Sequence, residues 1–255
     1  MFLYKSWLDT RWRFLAGFAI LALSACGVVV AYPRAIRLLE LVPNADIGGE
    51  IGRRIKENAE LMRTYRGYVY AQWFNQNLIQ TWTVFAILLG SGGLVSSGSA
   101  SAALFTLSLP ISRRAIVATR AATGLAELLL LALVPSLMIP LLSPAVGQSY
   151  SVVDVIVHTV CAFTAGAVFF NLALLLSTVF HDIWRPLLLT LGAALLLSLA
   201  EQAMRGNSGH GLYGVMSADS YFHGAGLPWI GLALSAAASA ALIYGAIVNF
   251  AHRDF

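Results

Sequence analysis

Long apolar runs alternate with short polar connections along this chain. They fall at Phe14–Tyr32, Leu78–Ala103, about Ala115–Leu142, Val152–Phe180, Pro186 to about Ala200, and Leu227–Phe250. A hydrocarbon layer of about 30 Å is crossed by about 20 apolar helical residues, and these runs approach or exceed that length. The pattern predicts an all-α integral membrane protein of six transmembrane helices, residues 1–255 forming a single unit. Residues 1–13 mix Lys5, Arg11 and Arg13 with Phe2, Tyr4, Trp7 and Trp12. Aromatic rings and snorkelling cations both settle at a membrane interface, so this lead reads as an interfacial helix.

Residues 33–77 are the one long polar stretch. Within it Ile51, Ile55, Met62, Tyr65, Val69 and Trp73 recur at helical intervals, with charged residues filling most of the remainder. An amphipathic helix on the outer membrane surface is expected there. The second run is unusual, because Gly90, Ser91, Gly92, Gly93, Ser96, Ser97, Gly98, Ser99 and Ser101 crowd its second half. Small residues let helices approach closely in lipid. The same residues, Gly90, Ser91, Gly93 and Ser97 among them, would also suit a flexible, mildly polar wall of a translocation path.

Composition agrees with the pattern: 58% of the 255 residues are hydrophobic and 11% charged, against about 25% charged in soluble chains. The formal charge of +4 is dispersed over membrane-flanking segments, which argues against nucleic-acid binding. Cys26 and Cys161 lie inside apolar runs and give neither a disulfide framework nor a metal-ligand spacing. Leu23-Ser24-Ala25-Cys26 has the look of a lipoprotein cleavage box, but the apolar run continues past it through GVVVAY. With the N-terminus inside, the cytoplasmic segments carry Lys5, Arg11, Arg13, Arg113, Arg114, Arg120, Arg185 and Arg253, and the outside carries Arg205 plus seven basic residues of the long first loop. Counting that loop removes the positive-inside bias, but the short connections agree with both termini in the cytoplasm, which is the expected topology.

Between the second and third runs lies Leu104 to Arg120, LFTLSLPISRRAIVATR. Pro110 breaks any helix entering it. Ser112 stands where a helix N-cap belongs, followed by Arg113, Arg114 and Arg120. Leu104, Phe105, Leu107, Leu109 and Ile111 alternate with hydroxyls, as in a helix lying at a membrane surface. The segment SLPISRRAIVATR resembles a signature of the membrane subunits of the ATP-binding-cassette type-2 exporter family. The opening LYKSWLDTRWRFL and the ending NFAHRDF are similar to that family's amphipathic N-terminus and RDF-like tail. Relatives usually carry an acidic residue just before the signature, where this chain reads VSSGSASAA.

The resemblance implies that residues 104–120 form a cytoplasmic coupling helix pressing on a separate ATPase subunit, through Leu104, Phe105, Leu107, Pro110, Ser112, Arg113 and Arg114. It implies short outer re-entrant helices over residues 201–226 and a path lined by the second and fifth spans. The partners would be ATPase subunits and a second permease copy or paralogue, in a bacterial inner membrane. ATP and magnesium would reside on the ATPase, with no cofactor on this chain.

Few residues could carry chemistry. Glu127 follows Arg120 by two helical turns inside the third run, where a charge costs about 2.5–3.5 kcal/mol and must face protein or water. It serves either interhelical packing or the path. Asp154 with His158, and Asp219 with His223, have the i, i+4 spacing that shares a proton or hydrogen bond. Asn171 is expected to bond between helices. The chain has no phosphate-binding G-x-x-x-x-G-K-[ST], H-E-x-x-H, C-x-x-C or G-x-S-x-G motif, so no catalytic or metal site is expected. An intramembrane enzyme using Asp154, His158, Glu127 or Glu201, and a proton-coupled transporter working without ATP, are the competing readings.

Overall fold

The computed structural model describes residues 2–41, 59–92, 112–180, 182–204 and 211–252. Those residues are mostly helical, joined by short turns, with no strand among them. In chain order the helices are α1 (Phe2–Leu41), α2 (Tyr65–Val69), a π-helical stretch (Tyr70–Asn77), α3 (Leu78–Gly90) and α4 (Arg113–Leu142). There follow α5 (Val152–Val179), α6 (Trp184–Met204), the short α7 (Leu212–Ser217) and α8 (Asp219–Phe222), and α9 (Trp229–Ala251). Five of these, α1, α4, α5, α6 and α9, are long and apolar enough to cross a membrane, which makes this a membrane protein.

Several boundaries differ from the sequence reading. The interfacial lead and the first span are one helix of 40 residues, because nothing between Met1 and Phe14 ends a helix. That helix also runs through Pro33. Proline removes a single main-chain bond, a loss that helices in lipid tolerate when neighbours compensate. The carbonyl left without its donor is that of Val29; one residue earlier the Tyr68 hydroxyl donates to the Val28 carbonyl at 3.2 Å and ties this part of α1 to the neighbouring helix.

The amphipathic helix over 51–73 is not continuous. A break at Arg63–Thr64 restarts the chain as α2, with the Thr64 hydroxyl accepting the Gly67 N–H at 3.1 Å as an N-cap. From Tyr65 to Gly90 the chain then stays helical, through the π-helical stretch. The second run's helix ends at Gly90 rather than Ala103, and residues 93–111 lie outside the described set. Arg113 to Arg120 belong to the long α4 rather than to a separate surface helix. Ser112 does cap α4, accepting the Ala115 N–H at 3.3 Å.

The core forms where α3 and α5 meet α4. Trp73, Phe74, Trp82 and Phe170 are fully buried there, and glycines receive the rings. The Trp82 ring fills the space beside Gly166, the Phe170 ring lies over Gly124, and Gly90 rests against the Phe170 carbonyl. Indole N–H groups are satisfied across helices, Trp82 to the Leu128 carbonyl at 2.9 Å and Trp73 to the Ser136 hydroxyl at 3.0 Å. In lipid no water can take those bonds, so each indole fixes the register of its helix pair.

Gly90 meets backbone, which cannot move aside, whereas Gly27 has open space where a Cβ would go. Gly90→Ala is therefore expected to destabilise the detergent-solubilised protein by about 1–3 kcal/mol. Gly27→Ala should be neutral or slightly stabilising; thermal melting of the two variants beside the parent protein checks the contrast.

Candidate functional site

Two polar clusters lie at opposite ends of the bundle, one basic and one aromatic. The basic cluster is built on the end of α3. The last carbonyls of a helix have no intrahelical donor and need partners from outside. The Ser91 hydroxyl donates to the Ile87 carbonyl at 2.7 Å. Arg13 of α1 donates through Nη1 to the Leu88 carbonyl at 2.9 Å. Arg120 of α4 donates through Nη2 to the carbonyls of Leu89 at 3.2 Å and Gly92 at 3.4 Å. Its Nη1 reaches the Ser6 carbonyl of α1 at 3.3 Å. Both guanidiniums lie where a Cβ at residue 92 would go, so Gly92 is the residue that lets them close on the helix end.

Arg120 is only 8% exposed, yet its donors go to carbonyls rather than to Glu127. Glu127 itself, 3% exposed, accepts a hydrogen bond from the Thr10 hydroxyl of α1 at 2.6 Å through Oε1. Its Oε2 has no partner among the described residues. The cluster thus joins three helices: α1 through Ser6, Thr10 and Arg13, α3 through its final carbonyls, and α4 through Arg120 and Glu127.

Of the residues singled out in the sequence, Gly90, Ser91, Ser112, Arg114 and Glu127 have described environments. Gly90 is packed on α5, Ser91 is buried at the end of α3, and Arg114 is exposed in the first turn of α4. Arg113 opens that same turn. Leu104, Phe105, Leu107 and Pro110, with Gly93 and Ser97, lie outside the described residues. Sequence reasoning missed Thr10, Arg13 and Gly92 as parts of one cluster. Arg13 had the look of an interfacial cation, and no local spacing connects it to a glycine in another run.

The aromatic cluster gathers around Phe74 and His158. The His158 ring stacks on Phe74 with centroids 4.5 Å apart and lies 5.5 Å from Tyr70. Tyr70 stacks in parallel on Phe222 at 3.8 Å. Tyr32 meets Tyr65 at 4.7 Å and Tyr68 at 5.2 Å, and the Tyr65 hydroxyl bonds that of Ser143 at 2.6 Å. Tyr70 and Phe74 sit on the π-helical stretch, a rare backbone form that frequently occurs at functional sites.

The expected Asp154–His158 pairing is not made. Asp154 accepts from Arg66 Nε at 2.9 Å and from the Tyr221 hydroxyl at 3.0 Å. His158 faces the other way, its Nδ1 at 2.8 Å from the Ser217 carbonyl. A carbonyl only accepts, so the hydrogen sits on Nδ1, and the buried Nε2 has no partner among the described residues. Asp219 and His223 do approach, at 3.4 Å, with the Asp219 carboxylate also accepting from the Tyr70 hydroxyl at 2.7 Å. Asn171 makes no interhelical bond of the kind expected of it among the described residues: it is 0% exposed, and neither amide atom has a partner there.

These contacts latch the α7–α8 hairpin to the bundle. The hairpin turns at Ala218, a non-glycine residue at φ +54°, which marks a backbone held by its surroundings. Glu201 accepts the Tyr213 N–H at 3.0 Å, satisfying the start of α7. Burial and the Glu201 charge push the Tyr213 hydroxyl up to about 12, so it stays a neutral donor to the Ala194 carbonyl at 3.0 Å. No group of three or more metal-ligating side chains occurs among the described residues.

Comparison with protein-family models, with curated protein sequences and with solved structures finds no match to this chain.

Asp154→Ala removes the acceptor of both Arg66 and Tyr221. The expected cost is about 1–3 kcal/mol, with faster proteolysis of the hairpin over residues 211–223. His223→Ala, at an exposed pair, is expected to change either readout by less than 0.5 kcal/mol, about the limit for surface contacts.

Proposed function

We propose that this protein is the permease subunit of an ATP-driven exporter of the ATP-binding-cassette type-2 kind. It would have six spans, the five long helices and the helical stretch from Tyr65 to Gly90, with both termini in the cytoplasm of a bacterium and the protein in its inner membrane. A second permease copy or paralogue completes the path, and separate ATPase subunits bind ATP and magnesium. The observation that carries this reading is the start of α4. Ser112 caps it at the position the SLPISRR segment requires, and the same helix contacts the end of α3 through Arg120.

Closure of the ATPase subunits pushes on residues 104–114, and the push shifts the bundle between two access states. Arg113 and Arg114 meet acidic ATPase surface or anionic headgroups. The carboxylates give little support to an intramembrane enzyme, since Glu127, Asp154 and Glu201 each bond locally and do not converge. A proton-coupled transporter draws support from one observation, the unpartnered Glu127 Oε2. That second reading requires the chain alone, reconstituted in vesicles, to move solute under a pH gradient.

Affinity purification of the full-length chain from native membranes tests the main reading. An ATPase subunit is expected to co-purify, and replacing Arg113 and Arg114 together by Glu should lower its recovery by about tenfold while the protein still inserts. Recovery of the chain without any nucleotide-hydrolysing companion overturns the proposal.

A further inference from the structure

Two guanidiniums on one helix end exceed what capping needs. The end of a helix carries about half a negative charge, and one cation offsets it. Here Arg13 and Arg120 arrive from two different helices, and among the described residues no carboxylate bonds either guanidinium. The arrangement ties α1 and α4 to α3 at one point. A second tie lies alongside, where Thr10 of α1 bonds Glu127 of α4 at 2.6 Å.

The other end of α1 is also engaged. The Val28 carbonyl accepts from Tyr68, and Tyr32 packs edge-on against Tyr65. From Thr10 to Tyr32 the helix is unbroken, a rise of about 33 Å. Tyr65 and Tyr68 lead directly into the π-helical stretch, whose Tyr70 and Phe74 hold Asp219, Phe222 and His158.

We infer that α1 is the transmission rod of the protein: Arg13, Arg120 and the Thr10–Glu127 bond pass displacement of the α3 end into α1, which delivers it to Tyr65, Tyr68 and the latched α7–α8 hairpin. Arg13, Arg120 and Thr10 are positioning residues in this scheme, and Gly92 is the space that admits them. The inference rests on the permease reading, since it takes the displacement to originate in an ATPase subunit acting next to α3 and α4.

The test uses the full-length chain with its co-purified ATPase in lipid nanodiscs. Spin labels at Val30 and Val153, both exposed near the aromatic end, report the distance between α1 and α5. In the parent complex, trapping with ATP and vanadate is expected to shift that distance. Arg13→Gln combined with Arg120→Gln, and separately Thr10→Val, should leave hydrolysis within about twofold while the shift falls about tenfold. Thr10→Ser, which keeps the hydroxyl, should restore it. If the double variant fails to fold, the Thr10→Val and Thr10→Ser pair decides. An unchanged shift in Thr10→Val, or ATP hydrolysis by the parent complex with no shift at all, overturns the rod and leaves the permease reading standing. A parent chain that recovers no ATPase overturns both.

Discussion

A helix that stops inside a bundle must find donors for its last carbonyls, and α3 stops at Gly90 against the backbone of α5. In water the solvent would supply those donors; here it is Ser91, Arg13 and Arg120. The rest of the basic end follows from this requirement. Arg13 reaches its carbonyl only if α1 lies alongside α3, and Arg120 only if α4 begins within one span's depth of the same point. The glycine at residue 92 follows in turn, because any side chain would displace both cations. A stretch that reads as low-complexity glycine and serine therefore contains one position with a specific steric task.

The opposite end is organised by a different chemistry. Tyrosine hydroxyls and two carboxylates pair across helices, and the ring faces supply the contact area. Phenol groups suit this place, since they offer an apolar body and one polar handle. Among the described residues, the buried polar atoms without a partner include Oε2 of Glu127 in the basic cluster, Nε2 of His158 in the aromatic one, and both amide atoms of Asn171 on α5. In a medium without water such atoms cost about 1–3 kcal/mol each on mutational scales, a cost a purely structural core would avoid.

The sequence made the class and most spans legible because apolar runs of membrane-crossing length have few other interpretations. The Ser112 cap was legible too, since a hydroxyl after a proline and before a basic turn is a local signal. Pro33 and the first loop were misread for different reasons. Helix continuation past a proline has no local signal, whereas the restart at Thr64 is a local hydroxyl cap that the longer periodic pattern hid. The i, i+4 spacing of Asp154 and His158 predicted proximity correctly but not bonding. Arg66, Tyr221 and Ser217 come from remote parts of the chain and outcompete the local partner. The Arg13–Gly92–Arg120 cluster had no signature at all, since its members belong to three separate segments.

The least embedded helices are α6 and α9, whose outward faces carry Leu188, Leu195, Leu196, Leu199, Ile230 and Leu234. At 21 and 23 residues they rise about 32–35 Å, close to a bilayer's hydrocarbon thickness, while α1 far exceeds it. Acyl-chain length in the surrounding leaflets is consequently felt by α6 and α9 through tilt. Because α9 lies along α5, with Asn249 bonded to Thr178, any tilt of α9 would be shared with the helix that carries Asn171 and His158.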